Sequence, residues 1–181
     1  MTQEPHPVPS WIVCRAGTGA TSATLGRYMR YCGHATQLCV ADPEGSVFHR
    51  HFADRSVREL DACLSCTEGI GRPPVEPSFL PEVVDRMIPV PDEGSLGAMR
   101  ALSRHLGRRV GGSTGTNLWA CARIISEMVR AGQRGSIVTL LCDGGTATRP
   151  PASTRAGCTR EASMCRHGRR ASKPFSRPVR C

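Results

Sequence analysis

Trp11-Ile12-Val13-Cys14-Arg15-Ala16-Gly17-Thr18-Gly19-Ala20-Thr21 decides how the rest of the chain is read. Trp11 to Arg15 is a short apolar run that gives way at once to a glycine loop. Beyond the loop the period changes: Leu25, Met29 and Cys32 fall on one helical face, and Gly33 is placed to stop the helix. Gln37 to Ala41 is a second apolar run. A strand, a loop, a helix and a strand in that order make the βαβ unit of a parallel sheet.

Downstream the pattern repeats less cleanly. From Pro43 to Pro81, Gly, Pro and charge are mixed without a dominant period, which predicts loop with a short helix. Arg86 to Val90 reads as a strand closed by Pro89 and Pro91, and Asp92 or Ser95 can cap the next helix, whose core face is Leu96, Met99, Leu102 and Leu106. Val110 leads into Gly111-Gly112-Ser113-Thr114-Gly115. A long helix follows, ending at Gly132, with Leu118, Ala122, Ile125 and Val129 on its expected inner face and Trp119 on the same core side. Ser136 to Cys142 is nearly all apolar, as expected of a strand covered on both faces. The class is α/β, a parallel sheet flanked by helices.

A length of 181 residues predicts one domain, or one and a small fragment. No stretch approaches the roughly 18 apolar residues of a membrane span, and MTQEPHPVPSW has neither a basic leader nor an apolar core, so a cytoplasmic protein without membrane contact is expected. The net charge of +9 suggests nucleic acid until it is divided along the chain. Residues 1–145 hold 15 Arg and 14 acids; the last 36 hold eight Arg, the single lysine Lys173 and one acid, Glu161. The basicity therefore belongs to the tail. With only Met164, Phe175 and Val179 as large apolar residues, that tail is expected to be disordered and solvated. Its Arg, Ala, Pro, Ser and Cys bias is what a shifted reading frame in GC-rich DNA produces. The expected organisation is an extension over 1–10, an α/β domain over 11–145 and a basic low-complexity tail over 146–181. A noncatalytic, basic-tailed protein that binds nucleic acid is the alternative this charge leaves open, less favoured because no aromatic stacking pattern accompanies it.

Between a strand and a helix start, Gly17 and Gly19 let backbone N–H groups close on an anion, and Thr18 and Thr21 add hydroxyls. A phosphate is the natural ligand; a tight turn is the structural alternative. Gly17-x-Gly19-x-x-Ser22 lacks the third glycine of the dinucleotide fingerprint, yet Asp42 ends the next strand at about the distance of the ribose-binding acid, so an NAD(P)-binding Rossmann module competes. The cluster around Ser113 discriminates, offering a hydroxyl to a second polar atom of the ligand unless it is a plain helix cap.

The order of these features resembles the fold-type II pyridoxal-phosphate enzymes of the cysteine synthase type, including related cysteine desulfhydrases. Gly17-Thr18-Gly19-Ala20-Thr21 is similar to the family's GTGGT loop, and Val110-Gly111-Gly112-Ser113-Thr114-Gly115 to its GISSGA-like segment. Val40-Ala41-Asp42-Pro43-Glu44 resembles its VEP segment, and Gly69-Ile70-Gly71, followed by Pro81 and Val90, its GIG segment and the stretch after it. Ile137 to Gly145 is similar to the strand that leads into GERYL. The resemblance implies a tryptophan synthase β-like fold with pyridoxal 5′-phosphate as cofactor. It places the phosphate on Gly17, Thr18, Gly19, Ala20 and Thr21, and the ring nitrogen on Ser113. It further implies β-replacement or β-elimination on a small amino-acid substrate, cysteine or O-activated serine, in a homodimeric parent.

Three departures qualify it. Ala20 replaces a glycine, Thr146-Ala147-Thr148 stands where GERYL is expected, and the family's upstream half, with its Schiff-base lysine, cofactor-side asparagine and substrate-carboxylate loop, has no counterpart. Since Lys173 is the only lysine, no catalytic residue is assigned and the chain is expected to be inactive by itself. Cys14, Cys39, Cys121 and Cys142 are expected as small core residues. Cys63-x-x-Cys66 would need partners such as Cys158, Cys165 or His167 to hold zinc, so no metal is expected, and His49 and His51 read as a solvated edge.

Overall fold

A computed structural model describes residues 7–61 and 69–142; the Cys63–Cys66 pair and all that is expected of residues 143–181 lie outside them. The apolar runs Trp11–Arg15 and Gln37–Pro43 form adjacent parallel strands, β1 and β2, paired from Trp11 with Gln37 to Arg15 with Ala41. β3 (Arg86–Val90) adds beyond β2, and β4 (Ile137–Thr139) beyond β1. The sheet is parallel throughout, in the order β3-β2-β1-β4.

Because side chains alternate along a strand, the sheet has two apolar faces. Ile12 and Cys14 of β1 pack with Leu38 and Val40 against Met29 of α1 (Ala20–Tyr31) and Val47 and Phe48 of α2 (Val47–Ala53). Val13, Cys39, Ala41 and Ile88 face the other way, onto Ala120, Cys121, Ile124 and Met128 of α4 (Gly112–Arg130). α3 (Asp92–Leu106) lies on α4, where a methyl group at Gly115 would run into the Ser95 carbonyl. Close approach of the two helices explains that glycine.

Several expectations are corrected in detail. The inner face of α4 is Ala120, Cys121, Ile124 and Met128; Ala122, Ile125 and Val129 point to solvent, and Leu118 is half-buried. Cys32 is exposed, and the buried face of α1 is Ser22, Ala23, Gly26 and Met29. Neither Asp92 nor Ser95 caps α3: Pro91 holds the cap position, Asp92 opens the helix, and Ser95 is buried in a hydroxyl pair with Thr116 at 2.8 Å. Leu106, expected on its core face, is exposed. β4 is not covered on both faces but is a three-residue edge strand with Val138 exposed. His49 and His51 lie on helix α2 rather than a solvated edge, and buried His51 joins its Nδ1 to the Val57 carbonyl at 2.8 Å.

Candidate functional site

β2 and β3 lie on one side of β1 and β4 on the other, so the chain reverses its direction of travel across the sheet between β1 and β4. Such a reversal parts the loops that leave the two strands, and a crevice opens at their carboxyl ends. It is a cleft of about 480 Å³ lined on one side by Gly17, Thr18, Gly19, Ala20 and Thr21 and on the other by Leu140, Leu141 and Cys142.

The loop's shape depends on its glycines. Gly19 caps α1 in the left-handed region, φ 87°, and a Cβ there would stand 2.5 Å from Phe79 Cα. At Gly17 a Cβ would meet the Gly69 carbonyl at 2.5 Å. The Gly19 carbonyl accepts from Ser22 Oγ at 2.8 Å and from the Ala23 amide at 2.9 Å, which ties the loop to the helix it opens. Ser78 Oγ donates to the Thr18 carbonyl at 2.6 Å. Ala20 sits in ordinary helical backbone as the first residue of α1, its methyl on the cleft side, so the change from glycine costs no backbone strain. α1 thus opens on the cleft with its positive dipole end, beside the exposed Thr18 and Thr21, and its first amide, that of Ala20, meets Thr18 Oγ1 at 3.5 Å.

The opposite wall is held by the start of α4. Thr114 Oγ1 accepts from the Cys142 amide at 3.2 Å, and Asn117 Nδ2 donates to the Leu140 carbonyl at 3.2 Å. Ser113 stands in the same turn. It is not the helix cap, a position taken by Gly111, and its buried hydroxyl has no hydrogen-bond partner among the described residues. Ser113 does not itself line the cleft; it lies one residue before the threonine that anchors the cleft wall. Cys14, Cys39 and Cys121 are buried as expected, whereas Cys142 is half-exposed on the cleft. Burial pushes the Cys14 thiol up to about 12, so it remains protonated at neutral pH.

Asp42, the residue a dinucleotide site would need on the ribose, faces away. It is fully buried, and its Oδ2 accepts the His49 amide at 2.9 Å in the first turn of α2, whose cap, Ser46, takes the Phe48 amide at 3.4 Å. Asp42 therefore closes a helix N-terminus instead of presenting a carboxylate to the cleft. Arg15 and Arg72, which sequence reasoning did not single out, both line the cleft. Charge beside a glycine loop was the signal available for Arg15; Arg72 is brought there by the chain's path.

A parallel sheet with a glycine loop and a helix N-terminus on a cleft at its reversal point is an architecture seen in cofactor-binding α/β domains. The chain belongs to the pyridoxal-phosphate dependent enzymes, whose family model matches residues 1–143. It is 57% identical over 145 residues to L-cysteine desulfhydrase Cds1 of Mycobacterium tuberculosis, an alignment covering 80% of this chain and 39% of that protein. Cysteine synthase of Aquifex aeolicus is 36% identical over 74% of this chain and 37% of its own length; cysteine synthase 1 of Neurospora crassa is 30% identical over 74% and 35%. The chain thus spans well under half the length of these relatives. Members of the family depend on pyridoxal phosphate, and the residues present suit a phosphate-bearing group: a loop on the cleft whose glycines leave no room for a Cβ, set at a helix N-terminus, and, behind the opposite wall, a buried Ser113 hydroxyl with no partner among the described residues. Neither the NAD(P) reading nor the nucleic-acid reading finds support. Among the described residues no helix is long and apolar enough to cross a membrane.

Proposed function

We propose that this chain carries the cofactor-phosphate-binding part of an enzyme that eliminates or replaces the β-substituent of cysteine or an O-activated serine. The observation that carries the reading is the Gly17–Thr21 loop, set at the mouth of α1 where β1 and β4 diverge, in a member of this family. The higher identity to a cysteine desulfhydrase, 57% against 30% and 36% for two cysteine synthases, favours elimination of sulfide from cysteine over synthesis.

Gly17, Thr18, Gly19, Ala20 and Thr21 hold the cofactor phosphate through backbone amides and two hydroxyls. Ser113, one residue before the threonine that anchors the cleft wall, would offer its unpartnered hydroxyl to the ring nitrogen, and a neutral hydroxyl would orient that nitrogen without protonating it. When bound, pyridoxal phosphate supplies an electron sink for the substrate's α-carbon. The start of α4 holds the opposite wall of the site through Thr114 and Asn117. None of the described residues is a lysine, and Lys173 is the sequence's single one. Among the described residues, then, no amine is available in this cleft to carry the cofactor and move the α-proton, and our reading is that the chain by itself binds without turning substrate over. A second copy of the parent enzyme as partner, a small amino acid as substrate, no nucleic acid and a cytoplasmic setting complete the reading.

Ser113→Ala separates this role from packing. Removing an unpartnered buried hydroxyl is expected to raise the unfolding free energy of the ligand-free chain by about 1 kcal/mol, read as a higher urea midpoint. The same change weakens binding of pyridoxine 5′-phosphate, whose alcohol needs no amine partner. Unchanged affinity in Ser113→Ala would remove Ser113 from the site.

A further inference from the structure

Arg15 ends β1 and lies on the cleft beside the loop. Its Nη1 donates to the Gly69 carbonyl at 3.2 Å and stands 3.6 Å from the point a Cβ would occupy on Gly17. Its Nε is buried and has no partner among the described residues. Arg15 takes part in none of the ion pairs Arg30–Asp85, Arg72–Glu76 and Arg86–Glu127, and among the described residues no carboxylate lines the cleft. A buried guanidinium N–H without an acceptor is costly, and a positive charge with only a neutral carbonyl for company is complementary to an anion that occupies the same space.

Arg72, the other cation on the cleft, is differently placed. Its Nε is shared between the Gly17 carbonyl at 3.4 Å and Glu76 at 3.5 Å, so its charge is already answered and its hydrogen bond goes to the loop backbone. The two arginines reach Gly17 from separate segments with different tasks. Arg72 braces the loop, and Arg15 has donor capacity to spare.

We propose that Arg15 is an anion-binding residue of this cleft, supplying a charge-assisted contact to the phosphate held by Gly17–Thr21. This rests on the reading of that loop as the cofactor-phosphate cradle and adds to it a side-chain cation, where the loop alone offers amides, hydroxyls and a helix dipole. An ionic contact of this kind strengthens binding in a salt-dependent way and favours the phosphate dianion over the monoanion.

The full 181-residue chain is titrated with pyridoxine 5′-phosphate, with unphosphorylated pyridoxine and with inorganic phosphate, by calorimetry and phosphorus NMR at low and moderate salt. Arg15→Gln is expected to weaken pyridoxine 5′-phosphate binding about 10- to 100-fold and to flatten its salt dependence. It also moves the phosphate resonance's titration to higher pH. Arg72→Gln is expected to cost under about threefold, since Arg72 already has a carboxylate partner. Gly19→Ala tests the loop by itself. If Gly19→Ala abolishes binding while Arg15→Gln stays within twofold of the unmodified chain, Arg15 is overturned and the loop stands. If Gly19→Ala binds normally, if pyridoxine binds as tightly as its phosphate, or if the unmodified chain binds none of the probes, the loop reading fails and the Arg15 role fails with it. Should Arg15→Gln lose its circular-dichroism signature of folding, Arg15→Lys and Arg15→Met decide: lysine, a point charge without the guanidinium fork, keeps much of the affinity and its salt dependence where methionine does not, and equal, salt-indifferent binding by the two overturns the assignment.

Discussion

Asp42 shows how much one buried carboxyl can decide. Its spacing from the glycine loop suits a ribose contact, but position along a strand does not say which way a side chain faces, and Asp42 turns inward under α2. Burial pushes its pKa up to about 7, against the opposing effects of the Ser46 hydroxyl and the His49 amide. The folded chain therefore holds this proton more tightly than the unfolded chain, whose aspartate titrates near 3.9. Stability from this group is fully present below about pH 4 and is lost as pH rises towards and through 7. Asp42→Asn removes that slope. In urea unfolding the variant is expected to gain on the parent between pH 4.5 and pH 8 by a few kcal/mol, on the order of the 1.4 kcal/mol each pKa unit represents. A constant difference across that range would place the Asp42 acidity near its ordinary value. The glycines were readable where Asp42 was not, because Gly17 and Gly19 answer to a local need, a turn too tight for a Cβ.

At the scale of elements, the sheet's strands and the helices between them follow from apolar runs and glycine stops, down to Arg86–Val90. α4 resists the same logic because it carries two apolar stripes, and periodicity alone cannot say which one meets the sheet. The stripe of Ala120, Cys121, Ile124 and Met128 does, since its small residues let the helix approach Val13 and Ala41. Ile124→Ala is accordingly expected to cost about 2–4 kcal/mol, and Ile125→Ala, one residue away on the exposed side, under about 0.5. Chemical denaturation of the two variants checks it, and equal costs would mean the helix is turned differently. The phosphate loop was legible because its glycines adjoin a strand end in sequence. The opposite wall, Leu140 to Cys142, was hidden because it reaches the site through sheet order, which no local pattern encodes.

Across the whole molecule the second stripe of α4 and the border strand share a property. Ile125, Val129, Val138, Leu140 and Leu141 are each at least two-fifths exposed. Apolar surface of this kind promotes association, and an edge strand leaves backbone groups open to pairing. The sedimentation coefficient is expected to rise with protein concentration, and Val129→Gln with Leu141→Gln to suppress the rise; a monomer at every concentration would show the surface to be inert. β4 touches its neighbour through three residue pairs, yet it carries the Leu140–Cys142 lip of the cleft, fastened by Thr139 Oγ1 to the Val13 carbonyl at 2.8 Å and by the first turns of α4. A molecule gripping both lips would act as a rivet through the margin of the sheet. Fraying of that margin and departure of the guest become one event, and the weakest seam of the fold doubles as its door.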